Sequence, residues 1–225
     1  MRIFRLWAAA LLMATLAGCA VQPPAIPSYQ DPLPSLGVQA AHRSDIPLRL
    51  LAGRRVAIVV SDNTRQLVDW QVQADKIYRG NWAVTALVDK ADRQAQLENN
   101  DPQLIVQRPA AMLKANFSGL DIVGSLGEAR QKGYGYVAVL DIHKESDVVR
   151  NMTVRFLWRG NIFFVQAQDT PRVVHLVSAV TQRVCDASSV GISASHSFFA
   201  RCDAELRNQM FDGLERDLQR AVQTR

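Results

Sequence analysis

Cysteine, histidine and aromatic side chains are scarce in this chain: 3 Cys, 4 His and 7% aromatics in 225 residues. So few cysteines, with no Cys-x-x-Cys spacing, leave no zinc ribbon and no redox-active dithiol pair. Phosphate loops, dinucleotide fingerprints and nucleic-acid motifs are missing as well. A mean hydropathy of −0.05 with 21% charged residues excludes a disordered or collagen-like chain. Only one run is apolar enough to enter a bilayer, and it lies at the N-terminus, which excludes a polytopic membrane protein.

That run has the parts of a processing signal. Arg2 and Arg5 form a positive start, and Leu6 to Leu16 is apolar apart from Thr15. The apolar stretch is about half of the ~20 residues a spanning helix needs, so residues 1–18 read as a signal peptide. Leu16-Ala17-Gly18-Cys19 follows at once and resembles the lipobox of bacterial lipoproteins. The resemblance implies cleavage between Gly18 and Cys19, a diacylated Cys19 thiol, and an acylated new amine. Two or more acyl chains anchor stably, at about 0.8 kcal/mol per buried methylene. Ala20, not aspartate, follows the cysteine, which implies the periplasmic face of the outer membrane. Cleavage removes two arginines and no acid, so the charge falls from +5 to +3. The pI of 9.4 therefore overstates any case for a nucleic-acid partner. The partners expected are membrane lipid, through Cys19, and an envelope protein.

The two remaining cysteines, Cys185 and Cys202, point by parity and compartment to one disulfide; the alternative is two buried free thiols. Six of the nine prolines lie between Ala20 and Pro47. They predict extended, mostly unpaired chain, a semi-rigid tether over residues 19–45. Alternatively, part of it packs along the domain surface. The periplasmic domain is expected over 46–225.

Within it, Arg55 to Val60 reads as a buried strand after Gly53. Thr64 to Val88 fits no single period, though Ala83 to Val88 looks like a strand. Pro109 predicts the first residue of a helix running to about Asn116. A second helix is expected from about Leu120 to Lys132, stopped by Gly133, and then a strand from Tyr136 to Ile142. Met152, Val154, Phe156 and Trp158 alternate with Thr153, Arg155, Leu157 and Arg159, and Gly160-Asn161 is a turn signal. Val173 to Val184 alternates more loosely, and Val190 to Ser197 is a further candidate strand. Leu206, Met210, Leu214, Leu218 and Val222 make the stripe of an amphipathic helix from Asp203 to about Thr224. The expected class is α+β or α/β: one mixed β-sheet with helices packed on it and a C-terminal amphipathic helix.

The early strand, the passage from Ala129-Arg-Gln-Lys-Gly133 into Tyr136 to Ile142, the meander and the final helix together resemble two domains. These are the periplasmic α/β domain of curli-secretion-channel lipoproteins and the N-terminal domain of the TolB type. The resemblance spans about 150 residues and implies a helix where Thr64 to Val88 lacks a clean period. No long lipid-facing alternation accompanies it, so channel activity is not implied.

Three clusters are candidate sites. Asp141, His143 and Glu145 fall on one face of a continuing strand, with donors suited to a divalent metal; the simpler reading is a solvated strand end. Ser188, Ser189, Ser193, Ser195 and Ser197 surround His196, but Gly191-Ile-Ser-Ala-Ser195 lacks the second glycine of a nucleophile elbow. Phe156, Trp158, Phe163 and Phe164 form the densest aromatic cluster, either core beneath the meander or an exposed partner surface. His42 and His175 have no evident partners in sequence. These patterns favour a non-enzymatic protein-binding factor for assembly, secretion or envelope maintenance, without cofactor, catalytic or metal residues. The alternative is a cell-envelope hydrolase or metal-dependent enzyme.

Overall fold

The computed structural model of the chain describes residues 25–38, 46–80 and 101–223. The signal peptide, Gly18, Cys19, His42 and the strand expected at Ala83 to Val88 lie outside these residues. The described elements are a short helix α1 (Pro32–Ser35), a 3₁₀ turn (Leu48–Leu50), β1 (Arg55–Val60), α2 (Asp62–Gly80), α3 (Leu104–Asn116), β2 (Ser118–Val123), α4 (Leu126–Gln131), β3 (Tyr136–Arg150), β4 (Thr153–Gln166), β5 (Arg172–Asp186) and α5 (Gly191–Gln223). They form one five-stranded mixed sheet, ordered β2-β1-β3-β4-β5. β1 runs parallel to both β2 and β3, while β4 and β5 continue as an antiparallel meander. None of the described helices is long and apolar enough to cross a membrane.

Side chains alternate across a strand, so the sheet divides its residues between two cores. On one face Val56, Ile58, Ala138, Leu140, Ile142, Phe156, Trp158, Ile162 and Phe164 meet α2, α3 and α5 through Leu67, Met112, Leu113, Leu206, Met210, Leu214 and Leu218. On the other, Ala57, Val59, Val137, Val139, Phe163, Val165 and Val173 are covered by α4, through Leu126 and Ala129, and by Leu33 and Val38. Cys185, near the end of β5, is bonded to Cys202 on α5, which ties that helix to the meander.

Several expectations change. The ambiguous stretch after Thr64 begins as a 19-residue helix, α2. α3 starts at Leu104, not at Pro109; its buried stripe of Ile105, Pro109, Met112 and Leu113 outweighs the one backbone bond that a proline in the second turn forfeits. The helix expected from Leu120 splits into β2 and α4. Ser125 caps α4, its hydroxyl accepting from the Glu128 N–H, while Glu128 Oε2 accepts from the Gly124 N–H at 2.7 Å. This is close to a capping box. Gly133 does end α4, at φ +78°. Val190 to Ser197 is no strand but largely the first turns of α5.

Gly160-Asn161 is no turn either. β4 runs straight through it, because α5 crosses there against the backbone. A Cβ on Gly160 would strike Met210 Sδ and lie 2.7 Å from Leu214 Cδ1, and both side chains are wholly buried. The folded unit also starts earlier than residue 46, since Leu33 and Val38 are buried in the second core. Prolines deny a segment its ladder bonds, but they do not stop its side chains from packing.

Candidate functional site

The two crossovers of the parallel part of the sheet lie on opposite faces. From β1 the chain leaves for β2 through helices on one face. From β2 it returns to β3 through α4 on the opposite face. β1 stops at Val60 while β3 continues. Thr64 takes over from the missing strand: its hydroxyl accepts from the Ile142 N–H at 2.7 Å and donates to the Leu140 carbonyl at 3.1 Å.

Asp141, one residue past the last β1–β3 pair, is wholly buried. Its Oδ1 accepts from Ser61 Oγ at 2.7 Å and from Asn63 Nδ2 at 2.8 Å, and its Oδ2 from Asn161 Nδ2 at 3.2 Å. Neutral donors thus hold a buried carboxylate in place. His143 follows on the same face, only 2% exposed. Its Nε2 lies 3.5 Å from Glu145 Oε1 and makes no hydrogen bond. Burial, the largest cause, holds its pKa below the ordinary imidazole value; Glu145 and Asp141 act in the opposite sense.

Tyr29 and Gln30 cover these residues. The Tyr29 ring centroid is 5.3 Å from that of His143, and the Arg159 guanidinium lies over Tyr29 at 4.9 Å. Burial and, next, the nearby Asp141 raise the Tyr29 pKa, against the pull of Arg159. Asn63 reads the main chain of Gln30 with both ends of its amide. Oδ1 accepts from the Gln30 N–H at 3.1 Å, and Nδ2 donates to the Gln30 carbonyl at 2.7 Å.

The structure therefore brings Asp141, His143 and Glu145 to one face, as their spacing predicted, and adds Ser61, Asn63, Asn161, Arg159 and Tyr29. No group of three or more His, Cys, Asp or Glu suited to a metal ion occurs among the described residues. Ser195 and Ser197 sit on α5, across the sheet from His143; the side chains of Ser193 and His196 lie outside the described set. His175 packs edge-on against Phe164, at 6.4 Å.

The aromatic partner surface is overturned. Phe156, Trp158, Phe163 and Phe164 are all buried, none more than 8% exposed. Trp158 donates to Asp203 Oδ1 at 2.8 Å. Asp203 Oδ2 meets Lys144 Nζ at 2.5 Å, and the ammonium rests against Trp70, Phe156 and Trp158. The exposed apolar residues of the meander are instead Val148, Val149, Val180 and Val184.

No family model and no curated protein matches this chain. A solved structure of a hypothetical protein, CT253 from Chlamydia trachomatis, aligns with 76% of this chain and 99% of its own, at 8% identity and a TM-score of 0.37. That likeness is too loose to carry a functional argument.

Proposed function

We propose that this is a lipid-anchored lipoprotein on the periplasmic face of the outer membrane. Its folded domain is a non-catalytic binding module for another envelope protein, in assembly, secretion or envelope maintenance. The lipobox-like Leu16 to Cys19 supports the anchor, and the Cys185–Cys202 bond suits an oxidising compartment. The observation that carries the binding reading is the grip of Asn63 on the Gln30 main chain. Asn63 holds a peptide backbone by side-chain amide bonds, and the Asp141 oxygens are engaged by neutral donors rather than by a reacting pair.

The test is fractionation with mass measurement, joined to crosslinking in intact cells. Wild type should sediment with outer membranes at the mass of an acylated chain starting at Cys19, and should crosslink to an envelope protein. Cys19→Ser should be released or misprocessed. A Cys19→Ser chain that stays in the membrane with unchanged mature mass would overturn the anchor.

A further inference from the structure

We propose that the sheet face lined by Asn63, His143, Arg159 and Val139 is a peptide-binding site now covered by this chain's own Tyr29–Val38 segment, and that a segment of a partner protein replaces it. The inference deepens the protein-binding reading and rests on it.

Four features mark the segment as a bound ligand rather than a piece of the sheet. The strands beneath it are already paired to one another, β1 with β3 and β3 with β4. Among the described residues, its main chain bonds to the rest of the domain only at Gln30. Its other backbone bonds are local, from Leu36, Gly37 and Val38 back to Leu33 and Pro34. It is also prefolded: Asp31 caps the Pro32–Ser35 turn by accepting from the Leu33 N–H, and two prolines stiffen it, which lowers the entropy lost on docking.

The contacts define the chemistry of a replacing segment. It needs an aromatic residue over His143 and Arg159, as Tyr29 provides. The next residue must offer a free main-chain N–H and C=O to Asn63, so proline is excluded there. Apolar residues follow for the sheet face now covered by Leu33 and Val38. Nε2 of the buried His143 has Glu145 Oε1 at 3.5 Å and no shorter bond from the own segment. A partner that places a polar group there gains a bond the resident segment lacks, which is how it outcompetes a ligand present at high local concentration.

The experiment uses the full-length chain in detergent and a labelled synthetic peptide of residues 27–38. In the double variant Tyr29→Ala with Leu33→Ser the resident segment is weakened and the site beneath it is intact. The peptide should bind this variant at least tenfold more tightly than wild type. A peptide with alanine in place of its tyrosine should bind at least tenfold more weakly. In wild type, the Gln30 amide should exchange through local opening, faster than the core amides of β3. The proposal is overturned if the variant melts cooperatively but takes up the peptide no better than wild type. It is equally overturned if the variant fails to fold, or if Gln30 exchanges only with global unfolding, since either makes the segment permanent core. The assay needs neither membrane nor partner. A failed peptide titration beside a positive crosslink in cells removes this site and leaves the protein-binding reading standing.

Discussion

The same strands close their two faces in different ways. Beneath α5, the even-numbered residues of β3 and β4 build a core of large side chains, Leu140, Ile142, Phe156, Trp158 and Phe164, roofed by a 33-residue helix and stapled by a disulfide. On the opposite face the odd-numbered residues begin small and apolar, Val137 and Val139, and then turn polar at Asp141 and His143. Their roof is a six-residue helix, α4, and a segment attached through Gln30. Both faces bury charged groups. One matches Lys144 to Asp203 inside an aromatic cage, whereas the other holds Asp141 by neutral donors and leaves Nε2 of His143 unbonded. The helical face carries the stability of the fold, and the lightly roofed face is where something can be exchanged.

The largest blow to the helical face is Trp158→Ala. It removes a wholly buried indole and the donor to Asp203, so denaturant titration should show a loss of about 3–5 kcal/mol. Phe163→Ser, on the opposite face but also buried, should cost several kcal/mol through cavity formation and an unpaired hydroxyl. A melting temperature left unchanged by Phe163→Ser would return that residue to the surface. Reducing the Cys185–Cys202 bond should cost about 3 kcal/mol, as expected for a closed loop of about 16 residues. Full alkylation of both thiols in native, unreduced material would show instead that the bond does not form.

Asn63→Ala should be milder, about 1–3 kcal/mol, because it strips one donor from Asp141 and both bonds from Gln30. Its signature is local. Amide exchange at Gln30 should rise sharply while the β3 core amides shift only by the global amount. If exchange rises equally on both faces, the contrast between them is wrong.

Much of the helical face was legible in the sequence because its signals are periodic. Val154, Phe156 and Trp158 alternate inward, with Met152 falling in the turn before β4, and the stripe from Leu206 to Leu218 recurs every four residues. The same period of two put Asp141, His143 and Glu145 on one face. What escaped was set by contacts distant in the chain. Nothing near Gly160 announces that Met210 and Leu214 lie against it, so a residue that admits a helix looked like a turn. The edge strand β2 is largely exposed, and Ile122 recurs at helical spacing with Leu126 and Ala129 of α4, which masks its short alternation. Ser61 and Asn63 meet Asp141 across about 80 residues, and Tyr29 lies still farther off, in a proline-rich stretch whose composition describes its backbone but not its docking. The capping pattern from Ser125 to Glu128 was present in the sequence and separates β2 from α4.

The smallest effect is a pH dependence, and it belongs to the lightly roofed face alone. Burial depresses the His143 pKa in the folded chain, against the opposing pull of Glu145 and Asp141 and in the same sense as Arg159. The folded state therefore keeps the ring neutral while the unfolded chain takes up a proton as pH falls through about 6.5. The unfolded state binds more protons in that window, so stability rises with pH there. The contribution is complete above the unfolded value and is lost as pH falls through the folded one. Charging His143 places a cation beneath Tyr29 and beside Arg159, so the resident segment should loosen before the sheet does. Melting curves between pH 7.5 and 5 should fall more steeply for wild type than for His143→Phe, with Gln30 exchange accelerating first in wild type. Parallel curves for the two proteins would show that His143 binds its proton alike in the folded and unfolded states.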